Sequence, residues 1–355
     1  MVELRTGDVG LDELNQAGRN HSLPLEALRY PITPAGMHYL LIHYDVPEAD
    51  VATWRVEVDG HLDRPLSLSI DDLRSRPTVT MPVTLECAGN GRALMSPRPV
   101  SQPWLQGAVG TAAWTGTPLA PILREAGLRG DAVEVAFRGA DRGVEGGVDQ
   151  RYERSLPLDE AMRDEVLLVH EMNGQPLLPQ HGSPVRLLVP GWYGMTHVKW
   201  LTRIRVLDQP FDGYQMITGY RLRTEEDDPG EPVTRIRPRS LMIPPGWPSF
   251  PERNRFVNAG EVMLRGRAWS GRARIERVEV STDGGESWQD ASIEDELGPF
   301  AWRGWSFAWS AEPGDIELRC RATDGTGESQ PDEAAWNLGA MENNAVQRVR
   351  VTVQA

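Results

Sequence analysis

Cys87 lies in the string Thr84-Leu85-Glu86-Cys87-Ala88-Gly89-Asn90-Gly91-Arg92. The β-branched residues Val79, Thr80, Val83 and Thr84 predict a strand leading into it. Ala-Gly-Asn-Gly then breaks the strand, because glycine and asparagine accept backbone conformations that other residues resist. A thiol at the mouth of a strand-to-loop turn, with a cation following at Arg92, suits an exposed thiolate, the form that binds soft metals. The same cysteine also reads as a small apolar side chain closing a core strand, since free cysteines are usually buried and inert. On composition alone that second reading is favoured, and the rest of the string is what tilts the balance.

The seven histidines (His21, His38, His43, His61, His170, His181 and His197) all precede residue 200, so histidine chemistry belongs to the first two-thirds of the chain. With two cysteines, Cys87 and Cys320, a disulfide framework is excluded. Cys-x-x-Cys-His is absent and no Cys/His spacing fits structural zinc. A net charge of −14 argues against nucleic acid as a partner. An anionic substrate would need a local cluster of arginine or lysine against that background. No apolar run approaches membrane-spanning length. The first residues lack a basic region followed by an apolar stretch. The expectation is therefore cytoplasmic, or periplasmic if a leader has been trimmed.

The elements that must position these residues alternate between strand and helix. Strands are predicted at 54–58, 133–137, 166–170 and 185–189. Short helices are predicted from Ser69 as N-cap and over 118–127 up to Gly127. Asn173-Gly174 signals a hairpin. No clean βαβ repeat emerges, so the first region reads as α+β with mixed sheets. Composition shifts at the charged breaker 224–230 and the Pro-rich segment after it, which places a boundary near Pro244 and divides the chain into 1–243 and 244–355. The last region holds short alternating strands, with Cys320 on an inward face as a buried structural thiol, and points to an immunoglobulin-like β-sandwich. Seven of the twelve tryptophans fall there (247, 269, 288, 302, 305, 309 and 336), most of them expected in the core and some at a subunit interface.

Leu85-Glu86-Cys87-Ala88-Gly89-Asn90 with Arg92 resembles the molybdenum-ligand loop of the sulfite oxidase family. The resemblance continues in order through Asp141, Glu171-Met172-Asn173-Gly174-Gln175-Pro176, His181-Gly182-Ser183-Pro184-Val185-Arg186, Val189-Pro190-Gly191 and Val198-Lys199-Trp200-Leu201, and into Ala268-Trp269-Ser270-Gly271 and 278–285. Any one of these is weak; in this order they are specific. The resemblance implies a molybdenum cofactor (molybdopterin) held in the α+β domain, and a homodimer formed through the sandwich. Cys87 would donate to the metal. His43, Asp141, His181, Arg186, His197, Val198 and Lys199 would bind the cofactor. Hydrogen-bond donors and cations are what pterin and phosphate need. Singly, His181 and Arg186 read equally well as a surface turn with a salt bridge, and Lys199 as a snorkelling side chain.

Arg19-Asn20-His21 imitates an Arg-Asn-His motif of that family, but its neighbours are out of order. His43, 44 residues before Cys87 and just ahead of Val46-Pro47, is the matching histidine, and Arg19 and His21 become solvent or linker residues. Leu41 then stands where the family's substrate arginine would be, and a leucine cannot hold an oxyanion. Arg92 and Tyr220 remain as the residues to orient a small oxyanion-type substrate, with Arg272 or Arg274 as a contribution from the second domain. The implied activity is oxygen-atom transfer, sulfite to sulfate, with electrons passing to a separate carrier such as a cytochrome. The acidic run Glu225 to Asp228 reads as a solvated loop or as a dock for a basic cytochrome. Nitrate or sulfoxide reduction on the same scaffold is the alternative, and a cofactor-free binding protein the more distant one.

Overall fold

The strand expected ahead of Cys87 spans Val79–Glu86 in a computed structural model that describes residues 3–355. It pairs antiparallel with Val109–Pro118, which pairs in turn with Leu167–Met172. Gln175–Pro176 and Arg186–Leu188 complete this antiparallel sheet by pairing with Leu167–Met172. The hairpin at Asn173-Gly174 forms as predicted, with φ of 54° and 72°, the left-handed values that these two residue types tolerate best.

A second five-stranded sheet orders Leu66–Ser69, Arg55–Gly60, Leu201–Leu207, Glu134–Glu145 and Val148–Pro157. Arg55–Gly60 runs parallel to Leu201–Leu207, and the other neighbours are antiparallel. The first region is thus α+β with a mixed sheet. Its helices are short and locally encoded. Ser69 Oγ accepts from the Asp72 N–H at 3.0 Å while the Asp72 carboxylate takes the Ser69 N–H at 2.8 Å, a reciprocal cap that starts Ile70–Arg74. Leu119–Ala126 ends at Gly127 and turns Leu119, Ile122, Leu123 and Ala126 inward at helical spacing. Each fully buried Leu or Ile there stabilises the fold by about 1.5–3 kcal/mol relative to exposure. Their partners in the core include Val56, Val58, Val135, Phe137 and Ile204.

Two further sheets form the last region. Arg239–Met242, Gly260–Trp269, Arg303–Ala311 and Ser292–Ile293 make one. Trp247–Pro248, Arg255–Asn258, Gln347–Gln354, Gly314–Asp324, Ile275–Ser281 and Gln289–Asp290 make the other. Leu264, Ala268 and Trp305 from the first meet Val280, Leu318, Cys320 and Val351 from the second in one apolar cluster. Arg239–Met242 lies upstream of Pro244 yet pairs with Gly260–Trp269, so the second region's sheet begins before the Pro-rich segment. The reason is pairing: breaker residues mark where a chain can turn, whereas a strand belongs to the sheet that takes its backbone hydrogen bonds. Of the seven tryptophans, 269, 302, 305 and 309 are buried, whereas Trp247 is 48% exposed.

The two regions meet at the strand that carries Cys87. Its free edge is covered by the second region: Thr84 N–H donates to the Phe300 carbonyl at 2.8 Å, and the Trp302 N–H donates to Thr84 Oγ1 at 2.8 Å. Among the described residues no helix is long and apolar enough to cross a membrane.

Candidate active site

Cys87 closes its strand at 8% exposure, on the wall of a cavity. Its N–H donates to the Ala108 carbonyl at 2.9 Å, and its own carbonyl takes the Asn90 N–H at 2.9 Å, which folds the chain back into a tight turn. Asn90 braces that turn: its Oδ1 accepts from the Ala108 N–H at 3.0 Å and its Nδ2 donates to Glu86 Oε1 at 2.8 Å. Gly91 follows in the left-handed region, φ 93°, where a Cβ would also stand 2.9 Å from Asn343 Nδ2. Glu86 sits buried beneath the thiol and accepts from Arg239 at 2.8 Å and from Trp269 Nε1 at 2.7 Å. Burial pushes the Cys87 thiol up from its ordinary range, and Arg92 pulls it back toward the thiolate.

Basic side chains line the same cavity. Arg186 is 6% exposed, donates to the His181 and His197 carbonyls at 3.1 and 3.2 Å, and stacks over Trp114 at 5.1 Å. Its Nε has no partner. Lys199 Nζ donates to the Leu41 and Gln180 carbonyls at 2.7 and 3.1 Å. Burial brings Lys199 down to about 7 and Arg186 down to about 10. Asp141, 3% exposed, is raised to about 6 by the same cause. These cations are held by neutral carbonyls, an arrangement that leaves their charge available to an anion entering the cavity.

Two histidines face each other beside them. His38 and His181 stand edge to face, ring centroids 5.7 Å apart. His38 Nδ1 bonds the Tyr39 carbonyl at 3.0 Å and its Nε2 is buried without a partner. Burial keeps both rings neutral, His38 down to about 4 and His181 to about 3. Tyr152 and Tyr220 complete the wall near His43, whose ring centroid is 5.0 Å from that of Tyr152. A thiol, basic side chains and neutral donors around one cavity suit a soft metal centre that brings an anionic organic group with it.

Two family models match the chain. Residues 43–215 match the oxidoreductase molybdopterin binding domain, and residues 249–354 the Mo-co oxidoreductase dimerisation domain. The chain belongs to the sulfite oxidase-like family of molybdenum-cofactor oxidoreductases. It is 38% identical to the mitochondrial sulfite oxidase of Rattus norvegicus over 339 residues, covering 91% of this chain and 62% of that protein. It is 35% identical to an NADH nitrate reductase of Hordeum vulgare over 352 residues, covering 91% of this chain and 38% of that one. The chain thus spans less than two thirds of the length of these curated relatives. The crystal structure of a sulfane dehydrogenase from Paracoccus pantotrophus superposes with a TM-score of 0.80 at 28% identity, covering 94% of this chain and 86% of that one.

Family membership implies a molybdopterin-bound molybdenum, and the cavity fits one. The Cys87 sulfur is a soft donor on the cavity lining, and among the described residues no three His, Cys, Asp or Glu side chains form a metal cage. The unpartnered Arg186 Nε is a buried donor on the cavity lining that a ligand could take.

Of the expected site residues, His43, Cys87, Asp141, His181, Arg186, His197, Lys199 and Tyr220 line this one cavity, as does Leu41. Two do not. Val198 is buried in the core behind the wall, its carbonyl taking the Leu187 N–H at 2.8 Å. Arg92 packs against the Cys87 turn, where a Cβ at Gly89 would stand 2.7 Å from its guanidinium, and donates to the Gly339 carbonyl at 3.1 Å and Ser101 Oγ at 3.1 Å. Its charge acts on both Cys87 and Tyr220, although it is absent from the cavity lining. His197 reaches the wall with both nitrogens in use: Nδ1 accepts from the Val189 N–H and Nε2 donates to the Trp192 carbonyl, each at 3.0 Å. His43 Nε2 bonds Glu145 at 2.9 Å. Arg272 and Arg274 lie outside the cavity lining; Arg272 donates to Glu328 at 2.7 Å. Arg19 is exposed, and His21 bonds the His38 carbonyl at 2.9 Å, so neither enters the site.

Sequence reasoning passed over His38, Tyr39 and Tyr152. A usable signal existed: His38 and His43 flank the apolar run Tyr39-Leu40-Leu41-Ile42, and a polar residue beside such a run is one that packing must satisfy or a ligand must use.

Proposed function

We propose that this protein uses a molybdenum cofactor to move an oxygen atom to or from a small substrate that presents a polar oxygen. The observation that carries the reading is that Cys87 lines one cavity with Arg186 and Lys199, two buried basic side chains bonded to carbonyls. Cys87 would ligate molybdenum. Arg186, Lys199 and His181 would hold the pterin and its phosphate by charge and hydrogen bonds. Asp141 would accept from pterin N–H groups. The bound cofactor supplies the two-electron couple. Arg92 favours the thiolate that metal binding requires. Tyr220 donates a hydrogen bond to the substrate oxygen and holds it where negative charge develops.

The sulfite oxidases and nitrate reductases among the relatives support oxygen transfer as a class and point to no single substrate. Leu41 on the cavity wall favours a substrate of low charge, which makes nitrate or sulfoxide reduction a match for the site beside sulfite oxidation. We read the second region as an immunoglobulin-like sandwich through which two copies pair. The match of residues 249–354 to a dimerisation domain supports the pairing of copies, and the pairing of Arg239–Met242 with Gly260–Trp269 supports a start at Arg239.

Molybdenum and pterin content of the protein from a host that makes the cofactor is the test. Near-stoichiometric molybdenum, lost in Cys87→Ala, is expected; a native protein free of molybdenum refutes the reading. Steady-state assays of sulfite oxidation against nitrate and sulfoxide reduction then assign the substrate.

A further inference from the structure

Behind Tyr220 lies a cation that the proposed chemistry leaves unused. Arg154 is on the strand Val148–Pro157, two residues after Tyr152 and therefore on the same face of the sheet. It is 1% exposed, and its guanidinium carbon lies 5.3 Å from the centroid of the Tyr220 ring. It also donates to the Gln215 carbonyl, at the start of the turn Gln215–Gly219 that delivers Tyr220 to the cavity. Its Nε has no partner. Among the described residues, the titratable groups that act on it are the Tyr152 and Tyr220 phenols. A buried guanidinium without a carboxylate is costly to keep, so its use is to be sought in the groups it faces.

We propose that Arg154 is a positioning residue that polarises Tyr220: stacked on the ring, it draws electron density from it and makes the phenol O–H a stronger donor toward a substrate oxygen. Leu41 brings no charge to the wall, and Arg154 adds to the positive field there through the tyrosine. Burial, Cys87 and Glu145 all hold the Tyr220 phenol above its ordinary range, and Arg154 works against them. The proposal rests on the reading that Tyr220 meets the substrate, and it adds the source of that residue's donor strength.

A double-mutant cycle on the cofactor-loaded protein tests it, read by equilibrium titration with sulfate and, separately, nitrate. Arg154→Gln keeps a donor for the Gln215 carbonyl but removes the charge, and should weaken anion binding about tenfold. Arg154→Lys should restore most of the affinity. In a Tyr220→Phe background Arg154→Gln should change nothing further, because the path for its effect is gone. An equal loss in that background, or no loss in Arg154→Gln alone, overturns the proposal. The Cζ resonance of isotope-labelled Tyr220 reads the polarisation without any anion, and an unmoved resonance in Arg154→Gln also overturns it. If the resonance moves while the wild type binds neither anion, the oxyanion reading of the cavity falls and the coupling of Arg154 to Tyr220 stands. Arg154→Met serves in the same cycle should the glutamine variant not fold.

Discussion

Trp269 Nε1 donates to Glu86 Oε2 at 2.7 Å, both residues 2% exposed, and so ties the second region to the residue immediately before Cys87. Arg239 and Asn90 satisfy the other carboxylate oxygen, each at 2.8 Å. A buried carboxylate with three donors is stable only while the set is complete. Trp269→Phe keeps the ring and removes one donor, which should cost about 1.5–3 kcal/mol in urea unfolding. The metal-free variant should also react faster with iodoacetamide at Cys87. An unchanged alkylation rate would mean that the tie does not steady the thiol turn.

Acid should destabilise the metal-free protein. His38 is pushed down to about 4, and His181 and His197 to about 3, all chiefly by burial, from an ordinary 6.5. Between those values the unfolded chain binds protons that the folded one refuses, so the histidines' contribution is full above pH 6.5 and falls as pH drops toward 4, whereas Lys199, lowered to about 7, loses its contribution at higher pH, as pH drops from 10.5 to 7. Asp141, raised to about 6 from 3.8, acts in the opposite sense, its contribution being lost as pH rises across that window. Three histidines against one carboxylate leave a net loss on acidification. Urea midpoints at about pH 7 and 5 measure it. His197→Asn, whose amide oxygen can take the Val189 N–H, should flatten the fall; an equally steep fall in that variant would sink the assignment.

Leu41→Arg adds a cation to the cavity wall, and should tighten sulfite binding about tenfold, as a charged hydrogen bond contributes about 1.5–3 kcal/mol less the cost of desolvation. The ratio of KM for sulfite to KM for nitrate is the measurement. A ratio that does not fall would show that Leu41 does not weaken the site toward the dianion.

Gly110→Ala probes how closely His38 is packed against the sheet. A Cβ there would stand 2.6 Å from the His38 ring, within the strand that pairs with the Cys87 strand. Overpacking of this kind costs about 1–3 kcal/mol. The variant should lose stability and retain less molybdenum, because the ring must leave its place facing His181. Full stability together with full metal content would place the His38 ring elsewhere.

Much of the local structure is legible in the residues. Ser69 with Asp72, Gly127 at a helix end and Asn173-Gly174 at a hairpin each act over a few residues, where backbone preference and side-chain capping decide the outcome. The strand ending at Cys87 belongs to the same class. The resemblance to the sulfite oxidase family implies that Asp141, His181, Arg186 and Lys199 form one site, and they share one cavity. Which way their side chains turn was not legible. Arg92 is five residues from Cys87, and a close approach at Gly89 and the carbonyls of residues 102 and 339 hold its guanidinium where it acts on both Cys87 and Tyr220.

The sequence by itself determined where the chain turns, which residue types could hold a soft metal and an anion, and that two regions of different strand pattern follow one another. These are properties of neighbours along the chain. Only the tertiary structure decided that Glu86 answers to Arg239 and Trp269, that both His197 nitrogens are spent on the backbone, that His38 is buried with an empty Nε2, and that Arg154 lies on Tyr220. Each joins residues brought together by strand register and packing. Desolvation then makes every such pairing matter, because a polar group removed from water must take whatever partner the fold supplies.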